Sequence, residues 1–289
     1  MLQITGKTCL TGLLGSPVDH SISPLMHNFS FEALGMNWVY LCFDVKEDRL
    51  EASVQGLRAL QVKGFNLTMP NKNKILDYLD ELSPAARLIG AVNTVENRDG
   101  CLIGHNTDGI GFMQSVKEQG IQMQGETMTL LGMGGAATAI CAQAALDQVE
   151  TIHIFARSGS RHRFRMEGLQ KELAKETACT IEFHDLESEG ELQKALAKSR
   201  LLVNATSVGM APDIEKSLIP DASFFHKELA VADIIYNPWK TKLLCMAEQA
   251  GCKAFNGYPM LIWQGAEAFR IWTGQDMPVE RVRAYLKKQ

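Results

Sequence analysis

Hydrophobic and polar positions along the chain fall into blocks that predict strands and helices in alternation. The first third contains three segments with strand-like apolar runs, each followed by a segment with helical spacing. The strand segments are 7–15, 37–45 and 63–70, and the helical segments are 23–35, 47–61 and 71–82. Strands that alternate with helices form a mostly parallel sheet covered by helices, so the pattern predicts an α/β fold.

A hairpin interrupts this alternation before it starts again. Residues 91–97 and 101–107 have the pattern of two strands joined by the turn Arg98-Asp99-Gly100. A helical segment at 108–120 follows. Residues 127–146 then run from an apolar strand into a glycine-rich turn and an alanine-rich helix. With 289 residues the chain can bury two modest cores, which allows one or two domains.

The glycine-rich turn matches a dinucleotide-binding fingerprint through Gly132, Gly134 and Ala137. Glycine permits the tight turn and the close approach of a pyrophosphate, whose charge is favoured at the helix N-terminus. Two alternatives fit the same residues: a turn with a purely structural role, or a site for another adenine cofactor such as S-adenosylmethionine.

The next strand, 151–157, ends without the acidic residue that holds the ribose 2′-hydroxyl of NAD. Arg157, Ser158 and Arg161 stand at the strand end and the expected helix start instead. Two guanidinium groups and a hydroxyl suit a 2′-phosphate, which favours NADP over NAD. The alternative is a solvated basic helix face.

Charge and cysteine content narrow the class of protein. A net charge of -4 and a pI near 6.0 provide no basic field, so nucleic acid is not an expected partner. The N-terminal apolar run is too short for a membrane span and too polar for a signal peptide, which predicts a cytoplasmic protein without membrane binding. Seven scattered cysteines lack zinc or redox spacing, so we expect reduced thiols and no metal site.

The segment 16–28 gathers small hydrogen-bonding side chains between a strand and a helix. Ser23, followed by Pro24, is expected to cap that helix, and with Ser21 it offers two hydroxyls beside a helix N-terminus. Such a pair suits an anionic, hydroxylated ligand. His20 and His27 are seven residues apart without a third ligand nearby, so no metal site is predicted there.

Lys72 is unusual because it stands at the start of the predicted helix 71–82, where the helix dipole disfavours a cation. Such a position suggests a functional role for the ammonium group. Asp108 stands at the start of another predicted helix, and by itself that position is explained by an N-cap.

Seven ordered motifs together resemble the shikimate dehydrogenase family over nearly the whole chain. They are Ser21-x-Ser23-Pro24-x-x-His27-Asn28, Asn66-x-Thr68-x-Pro70-x-Lys72, Gly90-Ala91-Val92-Asn93-Thr94, Asn106-Thr107-Asp108-Gly109, Gly132-x-Gly134-Gly135, Asn204-x-Thr206-Ser207-x-Gly209-Met210 and Gly257-x-x-Met260-Leu261-x-x-Gln264. The segments 69–72, 80–90 and 263–274 are most similar to the quinate/shikimate dehydrogenase branch.

The resemblance implies two α/β domains separated by a cleft. A substrate domain would comprise 1–108 with 257–289, and a Rossmann-like NADP-binding domain would comprise 109–256. It also implies reversible reduction of 3-dehydroshikimate to shikimate by NADPH, a step in the biosynthesis of aromatic amino acids, by a monomer or homodimer. A broad quinate/shikimate dehydrogenase that uses NAD or NADP is the alternative.

The family motifs carry site residues over to this chain. They imply Lys72 and Asp108 as the catalytic pair. They imply substrate binding by Ser21, Ser23, Thr68, Asn93, Tyr236 and Gln264. They imply cofactor binding by Gly132, Gly134, Gly135, Ala136, Arg157, Ser158, Arg161, Thr206, Gly257 and Met260.

Two departures from the family pattern bear on specificity. The quinate-using branch carries an aspartate after its arginine, whereas Ser158 and Gly159 follow Arg157 here, which argues against NAD. Pro259 replaces a glycine and is expected to stiffen a loop. Methylenetetrahydrofolate dehydrogenase shares the lysine and the NADP signature but leaves Ser21 and Ser23 unexplained. A regulator that binds NADP without turnover would not need Lys72 and Asp108.

Overall fold

The computed structural model describes residues 4–288, and the chain divides into two units. The first unit takes in the residues up to Gly111 and those from Ile262 onward, and the second takes in Phe112–Leu261. The domain boundaries predicted from the sequence, 108/109 and 256/257, fall a few residues earlier in the chain than these divisions. Two helices, α4 (Asp108–Glu118) and α9 (Tyr258–Thr273), contain the points where the chain passes from one unit to the other.

The first unit is built on a mixed sheet with the strand order β2-β1-β3-β5-β6-β4. Its strands are β1 (Cys9–Gly15), β2 (Trp38–Asp44), β3 (Gly64–Leu67), β4 (Glu81–Leu82), β5 (Thr94–Arg98) and β6 (Cys101–His105). Its helices are α1 (Ser23–Ala33), α2 (Leu50–Ala59), α3 (Pro84–Ile89) and α10 (Val279–Leu286). Strand β1 pairs in parallel with β2 and β3, and β5 and β6 form the predicted antiparallel hairpin.

The second unit has a parallel sheet in the order β9-β8-β7-β10-β11-β12. Its strands are β7 (Thr127–Leu131), β8 (Thr151–Ala156), β9 (Thr180–Asp185), β10 (Leu201–Asn204), β11 (Ala230–Asp233) and β12 (Lys253–Phe255). Its helices are α5 (Gly135–Leu146), α6 (Arg163–Glu176), α7 (Glu189–Leu196) and α8 (Lys242–Gln249). This strand order is that of the Rossmann fold, which confirms the predicted α/β class and its Rossmann-like unit.

Each unit has its own apolar core, and the strand patterns explain how the sheets are covered. Strands β10 and β11 are buried along their whole length, as parallel strands are when helices cover both faces. Phe155, Leu202 and Val231 lie in the core of the second unit, while Phe65 and Val95 lie in that of the first.

The segment 71–82 differs from the predicted single helix. Residues 71–73 form turns, Lys74–Tyr78 form a short 3-10 helix, and Glu81–Leu82 form β4, which pairs with β6. The Asp80 carboxylate accepts a hydrogen bond of 2.7 Å from the Leu102 backbone N–H. These long-range bonds outweigh the local helical spacing, because helix propensity is a weak prior against tertiary contacts. Lys72 therefore lies in a turn, and the helix-dipole argument does not apply to it.

Two expectations about helix starts are also wrong. The residue before α1 is Ile22, and Ser23 is already its first helical residue without a side-chain cap. Pro259 is the second residue of α9, so it lies in the first helical turn, where a proline needs no N–H partner, rather than in a loop. Within residues 4–288, no helix has the length and apolar character needed to cross a bilayer.

Candidate active site

A lysine and an aspartate form an ion pair in the first unit. The Lys72 Nζ lies 2.6 Å from Asp108 Oδ2, and the two side chains are 33% and 14% exposed. Lys72 belongs to the turn after β3, and its carbonyl accepts a hydrogen bond from Val92 N–H. Asp108 is the first residue of α4, with its own N–H bonded to the Asn106 side chain at 3.1 Å. The ammonium group is thus fixed by a carboxylate and still reaches solvent.

Asn93 holds the other oxygen of that carboxylate. Its Nδ2 donates to Asp108 Oδ1 at 2.8 Å and to Thr107 Oγ1 at 2.9 Å, while its Oδ1 accepts from Thr107 N–H at 2.8 Å. Asn93 is only 2% exposed, and Thr107 is fully buried. A buried amide with these partners fixes the position of Asp108, which gives Asn93 a structural task beside its predicted contact with substrate.

The hydrogen-bond network continues away from the ion pair through residues that the sequence prediction did not assign to the site. Asn66 donates to the Asn93 carbonyl at 3.1 Å and to the Thr94 hydroxyl at 3.0 Å. The Tyr40 hydroxyl donates to Asn66 Oδ1 at 2.8 Å. Tyr40 and Asn66 come from the two strands that flank β1, with Thr11 opposite Tyr40 and Leu13 opposite Asn66. Only the sheet register brings them together, so no local pattern could have identified the pair.

The predicted serine pair lies at the start of α1, beside Tyr40. The Ser23 N–H donates to Ser21 Oγ at 3.3 Å, and the Ser23 hydroxyl lies near the Tyr40 phenol. Burial raises the pKa of the Tyr40 phenol, and the nearby Ser23 hydroxyl offsets this only in part. Both serines are partly exposed. Hydrogen bonds thus run from Tyr40 through Asn66 to Asn93, and Ser23 lies beside the Tyr40 end of this series.

Thr68 and Gln264 come from other parts of the first unit. The Thr68 N–H bonds the Leu14 carbonyl at the end of β1, and a side chain on Gly15 would collide with the Thr68 methyl group. Gln264 lies on α9, and its backbone packs against Gly111 in the first turn of α4. Gly111 follows Asp108 by one helical turn, so this contact brings Gln264 to the end of α4 that carries the ion pair.

The glycine-rich turn of the second unit connects β7 to α5. Gly132 has a φ of +109°, a backbone conformation that is strained for any residue with a side chain. An added Cβ would also lie 2.8 Å from the Thr206 methyl group. Gly134 is the N-cap of α5 and Gly135 its first residue; an added Cβ on either would meet open space. Gly134 makes no side-chain cap, so the first N–H groups of α5, including that of Ala136, remain available to an anion. These features fit the pyrophosphate of a dinucleotide.

The three residues predicted for the 2′-phosphate follow β8. Arg157, Ser158 and Arg161 are all exposed, and Arg161 lies in the turn before α6. The Ser158 hydroxyl donates to the Asp185 carboxylate at the end of β9. The Glu187 backbone N–H and this hydroxyl together hold the pKa of the Asp185 carboxyl below its usual value. Among residues 4–288, no hydrogen bond or ion pair is formed by the Arg157 side chain.

The remaining predicted cofactor residues lie after β10 in the case of Thr206 and after β12 in the case of Gly257 and Met260. The Thr206 hydroxyl donates to Asn204 Oδ1 at 2.7 Å, and Asn204 donates to the buried Asp233 carboxylate at 3.0 Å. Burial raises the pKa of Asp233, and hydrogen bonds from Thr241, Ile235 and Asn204 counteract that effect. The turn that carries Thr206 is thereby tied to β11.

Gly257 approaches the chain after β11 so closely that a side chain would overlap the Ile234 carbonyl. Met260 lies in the first turn of α9 and is partly exposed. Tyr236, predicted to bind substrate, is 44% exposed in the second unit. Lys72, Asp108 and Asn93 are therefore in contact within the first unit, which also contains Ser21 and Ser23, while Tyr236 lies in the second unit.

Comparisons with known proteins identify the family of the chain. The family model for the shikimate dehydrogenase substrate binding domain matches residues 13–95, and the model for the shikimate 5'-dehydrogenase C-terminal domain matches residues 257–287. A shikimate dehydrogenase (NADP(+)) of Listeria monocytogenes is 48% identical over 98% of this chain and 97% of its own length. A quinate/shikimate dehydrogenase of Escherichia coli is 44% identical over 98% of both chains.

A solved structure gives the same result for the fold. The crystal structure of shikimate 5-dehydrogenase from Listeria monocytogenes, in complex with shikimate and NAD, superposes with a TM-score of 0.95 at 48% identity and covers 98% of each chain. Identity of this extent over both units leaves no room for a different family. The chain therefore belongs to the shikimate dehydrogenase family of NAD(P)-dependent oxidoreductases.

Proposed function

We propose that the chain catalyses the reversible, NADP-dependent interconversion of 3-dehydroshikimate and shikimate. The observation that carries the proposal is the Lys72–Asp108 ion pair, with 2.6 Å between Nζ and Oδ2, fixed by the buried amide of Asn93. An ammonium group held in this way can protonate the oxygen of a carbonyl that receives hydride. The relative from Listeria monocytogenes is named a shikimate dehydrogenase (NADP(+)) and matches this chain over nearly its whole length, which supports the same reaction.

Lys72 has the proton-transfer role in this proposal. When the substrate carbonyl is reduced, its oxygen becomes an alkoxide, which takes a proton from the Lys72 ammonium group and so becomes the hydroxyl of shikimate. Since the Lys72 side chain is 33% exposed, solvent can return the proton. Asp108 orients the ammonium group and balances its charge, and Asn93 keeps Asp108 in place.

The cofactor residues are proposed from the second unit. The N-terminus of α5 with Gly132, Gly134, Gly135 and Ala136 would hold the pyrophosphate. Arg157, Ser158 and Arg161 would hold the adenosine 2′-phosphate, while Thr206, Gly257 and Met260 would contact the nicotinamide half. The bound nicotinamide supplies hydride for reduction or accepts it for oxidation.

Substrate binding is proposed for hydroxyl and amide groups of the first unit. The hydroxyls of Ser21 and Ser23 would receive the carboxylate of shikimate at the start of α1. Thr68, Asn93 and Gln264 would bind the ring hydroxyls. Neutral donors of this kind discriminate against analogues that lack a hydroxyl, because the unmatched buried groups are then left without partners.

A second candidate is a broad quinate/shikimate dehydrogenase that also accepts NAD. The Asp185 carboxylate, which accepts a hydrogen bond from the Ser158 hydroxyl, favours this candidate. Its charge would repel a 2′-phosphate, and its oxygens could accept a hydrogen bond from a ribose hydroxyl. The E. coli relative, at 44% identity, is named for both substrates. The balance between Asp185 and the two arginines decides the cofactor preference.

We also propose a cytoplasmic protein that acts as a monomer or homodimer. All seven cysteines are free thiols, and burial raises the pKa of Cys179 to about 11. Cysteines without disulfides are typical of reducing compartments, which supports the assignment.

The proposed function is tested by initial rates with shikimate or quinate, each paired with NADP+ or NAD+. Strong turnover with shikimate and NADP+ alone supports the first candidate, and comparable rates with quinate or NAD+ support the second. Absence of turnover in all four pairs would contradict both and favour a regulator that binds NADP.

The role of Lys72 is tested by Lys72→Ala against the neighbouring Lys74→Ala. Lys74 pairs with Asp77 on the exposed surface. Loss of a positioned acid costs about 10²- to 10⁴-fold in kcat, so Lys72→Ala should lose activity by this order with a smaller change in KM. Lys74→Ala should retain the parent rate. A normal kcat for Lys72→Ala removes Lys72 from the mechanism.

A further inference from the structure

Two imidazoles and a carboxylate converge on one point beside the outer strands of the parallel sheet. His153 Nδ1 lies 3.0 Å from Glu182 Oε2 and 3.2 Å from His184 Nε2, and the distance between His184 Nε2 and Glu182 Oε2 is 3.6 Å. Their side chains are 13%, 49% and 20% exposed for His153, Glu182 and His184. The cluster takes no part in the proposed reaction.

The sheet register creates this cluster. His153 stands opposite Glu182, and Phe155, two residues further along β8, stands opposite His184. Residues two apart on a strand point to the same face, so β8 contributes one imidazole and β9 contributes the carboxylate and the other imidazole. The Phe155 ring stacks on His184 with 4.7 Å between the centroids, which limits the rotation of that imidazole.

The three distances match the edges of a zinc tetrahedron. Zinc binds imidazole nitrogen and carboxylate oxygen at about 2.0–2.2 Å, so two ligand atoms of a tetrahedral site lie about 3.3–3.5 Å apart. The observed separations of 3.0, 3.2 and 3.6 Å surround that value. A small shift of the exposed Glu182 side chain would equalise them. The exposed side of the cluster leaves room for water as a fourth ligand.

A second carboxylate prepares His184 to act as a ligand. Its Nδ1 lies 3.2 Å from Glu191 Oε2 on α7. Since a carboxylate only accepts, the proton of the neutral imidazole is on Nδ1, and Nε2 keeps a lone pair that points into the cluster. An imidazole backed by an outer carboxylate is the usual arrangement in zinc sites.

His153 is also suited to metal binding. Its Nδ1 faces both other ligand atoms, at 3.0 Å from Glu182 Oε2 and 3.2 Å from His184 Nε2, and the side chain is only 13% exposed. Without a cation, at most one proton, on His153 Nδ1, can bridge the three facing atoms. That proton can serve only one of the two acceptors well, whereas a cation satisfies all three groups.

We propose that His153, Glu182 and His184 form a binding site for a zinc-class divalent transition-metal ion. The ion would join β8 to β9 and, through Glu191, both strands to α7. Imidazole ligands favour zinc and its neighbours over magnesium or calcium, which prefer oxygen ligands. Because Arg157 and Ser158 follow β8 and Asp185 ends β9, the ion would stiffen the part of the sheet that carries the proposed phosphate residues.

The test is equilibrium dialysis of the full chain, free of any histidine tag, against Zn²⁺ with metal analysis of the retained protein. The parent is compared with the double variant His153→Gln, His184→Gln and with Glu191→Gln. His226→Gln is the matched control, because His226 pairs with Glu228 at 3.2 Å on the same unit but lies outside the cluster.

The parent and His226→Gln are expected to retain one zinc that the double variant lacks, and zinc should raise the melting temperature of the first two proteins only. Glu191→Gln should bind zinc about 10- to 100-fold more weakly, which is the usual effect of removing an outer partner. Circular dichroism and NADP binding report whether the double variant is folded.

Two results would overturn the proposal. Equal zinc retention by the parent and the folded double variant would assign the metal to other groups, such as the cysteines. No zinc retention by the parent would leave a hydrogen-bonded cluster only. Neither readout depends on turnover, so the outcome is separate from that of the proposed dehydrogenase reaction.

Discussion

Acidification should destabilise the protein through one buried histidine, His27 on α1. The ring is fully buried, and within residues 4–288 neither of its nitrogens has a hydrogen-bond partner. It stacks on Tyr40 with 4.5 Å between the ring centroids and lies 5.3 Å from Trp272. Burial without a partner lowers the pKa of His27 from 6.5 to about 3, so the folded protein holds this imidazole neutral.

The size of the effect follows from proton linkage. The unfolded chain takes up a proton near the ordinary pKa of histidine, 6.5, while the folded chain does so only near 3, so stability is complete above 6.5 and is lost between these values. A difference of this size corresponds to about 2 kcal/mol of lost unfolding free energy at about pH 5, and to about 5 kcal/mol below both values.

The assay is urea unfolding of the parent and of His27→Phe at about pH 7.5 and about pH 5. Phenylalanine keeps the ring stack and cannot titrate. Three of the four tryptophans, Trp38, Trp263 and Trp272, are in the first unit with His27, so tryptophan fluorescence follows mainly its unfolding. We expect the parent to lose about 2 kcal/mol more than the variant between the two pH values.

The comparison of pH dependence, not of absolute stability, tests the argument. His27→Phe changes packing as well, but that effect is the same at both pH values and cancels. His20→Gln serves as the control, since His20 is exposed in the same unit and should leave the parent behaviour unchanged. Parallel losses in the parent and His27→Phe would refute the assignment of acid sensitivity to this buried ring.

Three further predictions concern the site and the backbone. Ser23→Ala should raise the KM for shikimate more than it lowers kcat, whereas Ser53→Ala, which loses a hydroxyl bonded to the backbone of the same unit, should change neither; an unchanged KM would remove the serine from substrate binding. Arg157→Gln should raise the KM for NADP+ by roughly tenfold, equivalent to about 1.4 kcal/mol, and leave the KM for NAD+ unchanged. An equal rise in the KM of both cofactors would contradict a 2′-phosphate contact. Gly257→Ala should lower the melting temperature, because the added methyl group would overlap a backbone carbonyl. Gly168→Ala, in open space within α6, should instead stabilise the protein by about 0.5–1 kcal/mol. Similar shifts in melting temperature for both variants would show that the close approach at Gly257 relaxes easily.

Local sequence patterns were enough to predict the helices and strands whose signals lie in neighbouring residues. The apolar run of β7, the turn at Gly132 and the alanine-rich α5 form one continuous stretch, and each part predicts its own structure. The hairpin of β5 and β6 was predictable for the same reason, because its turn residues are adjacent to the strands they join. The helix predicted for 71–82 failed because β4 is held by β6, whose residues lie about 20 positions further along the chain.

The residues of the candidate site were likewise predictable only where short local segments mark them. The motifs pointed to Lys72, Asp108 and Asn93, since these residues stand in short, recognisable segments, and the structure brings the three side chains into contact. Tyr40 was not found, because its role depends on a strand pairing that places it across β1 from Asn66. The metal cluster likewise has no signal in the local spacing of the sequence, because His153 lies on β8 and His184 on β9.

The buried polar groups of the first unit differ in whether they have hydrogen-bond partners, and this difference suggests how the site is held in position. Asn93, Asn66 and Tyr40 have their hydrogen bonds satisfied by one another, so the loss of one partner leaves a buried group without compensation, at a cost of about 1–3 kcal/mol. His27 stacks on Tyr40 from the same helix that carries Ser23, yet it contributes no hydrogen bond to the network. A neutral ring at this place fills the space behind Tyr40 and fixes the phenol without competing for Asn66. Protonation of His27 would therefore disturb Tyr40 first, and Ser23 and Asn66 through it, which links the acid sensitivity of the first unit to the geometry of the proposed substrate site.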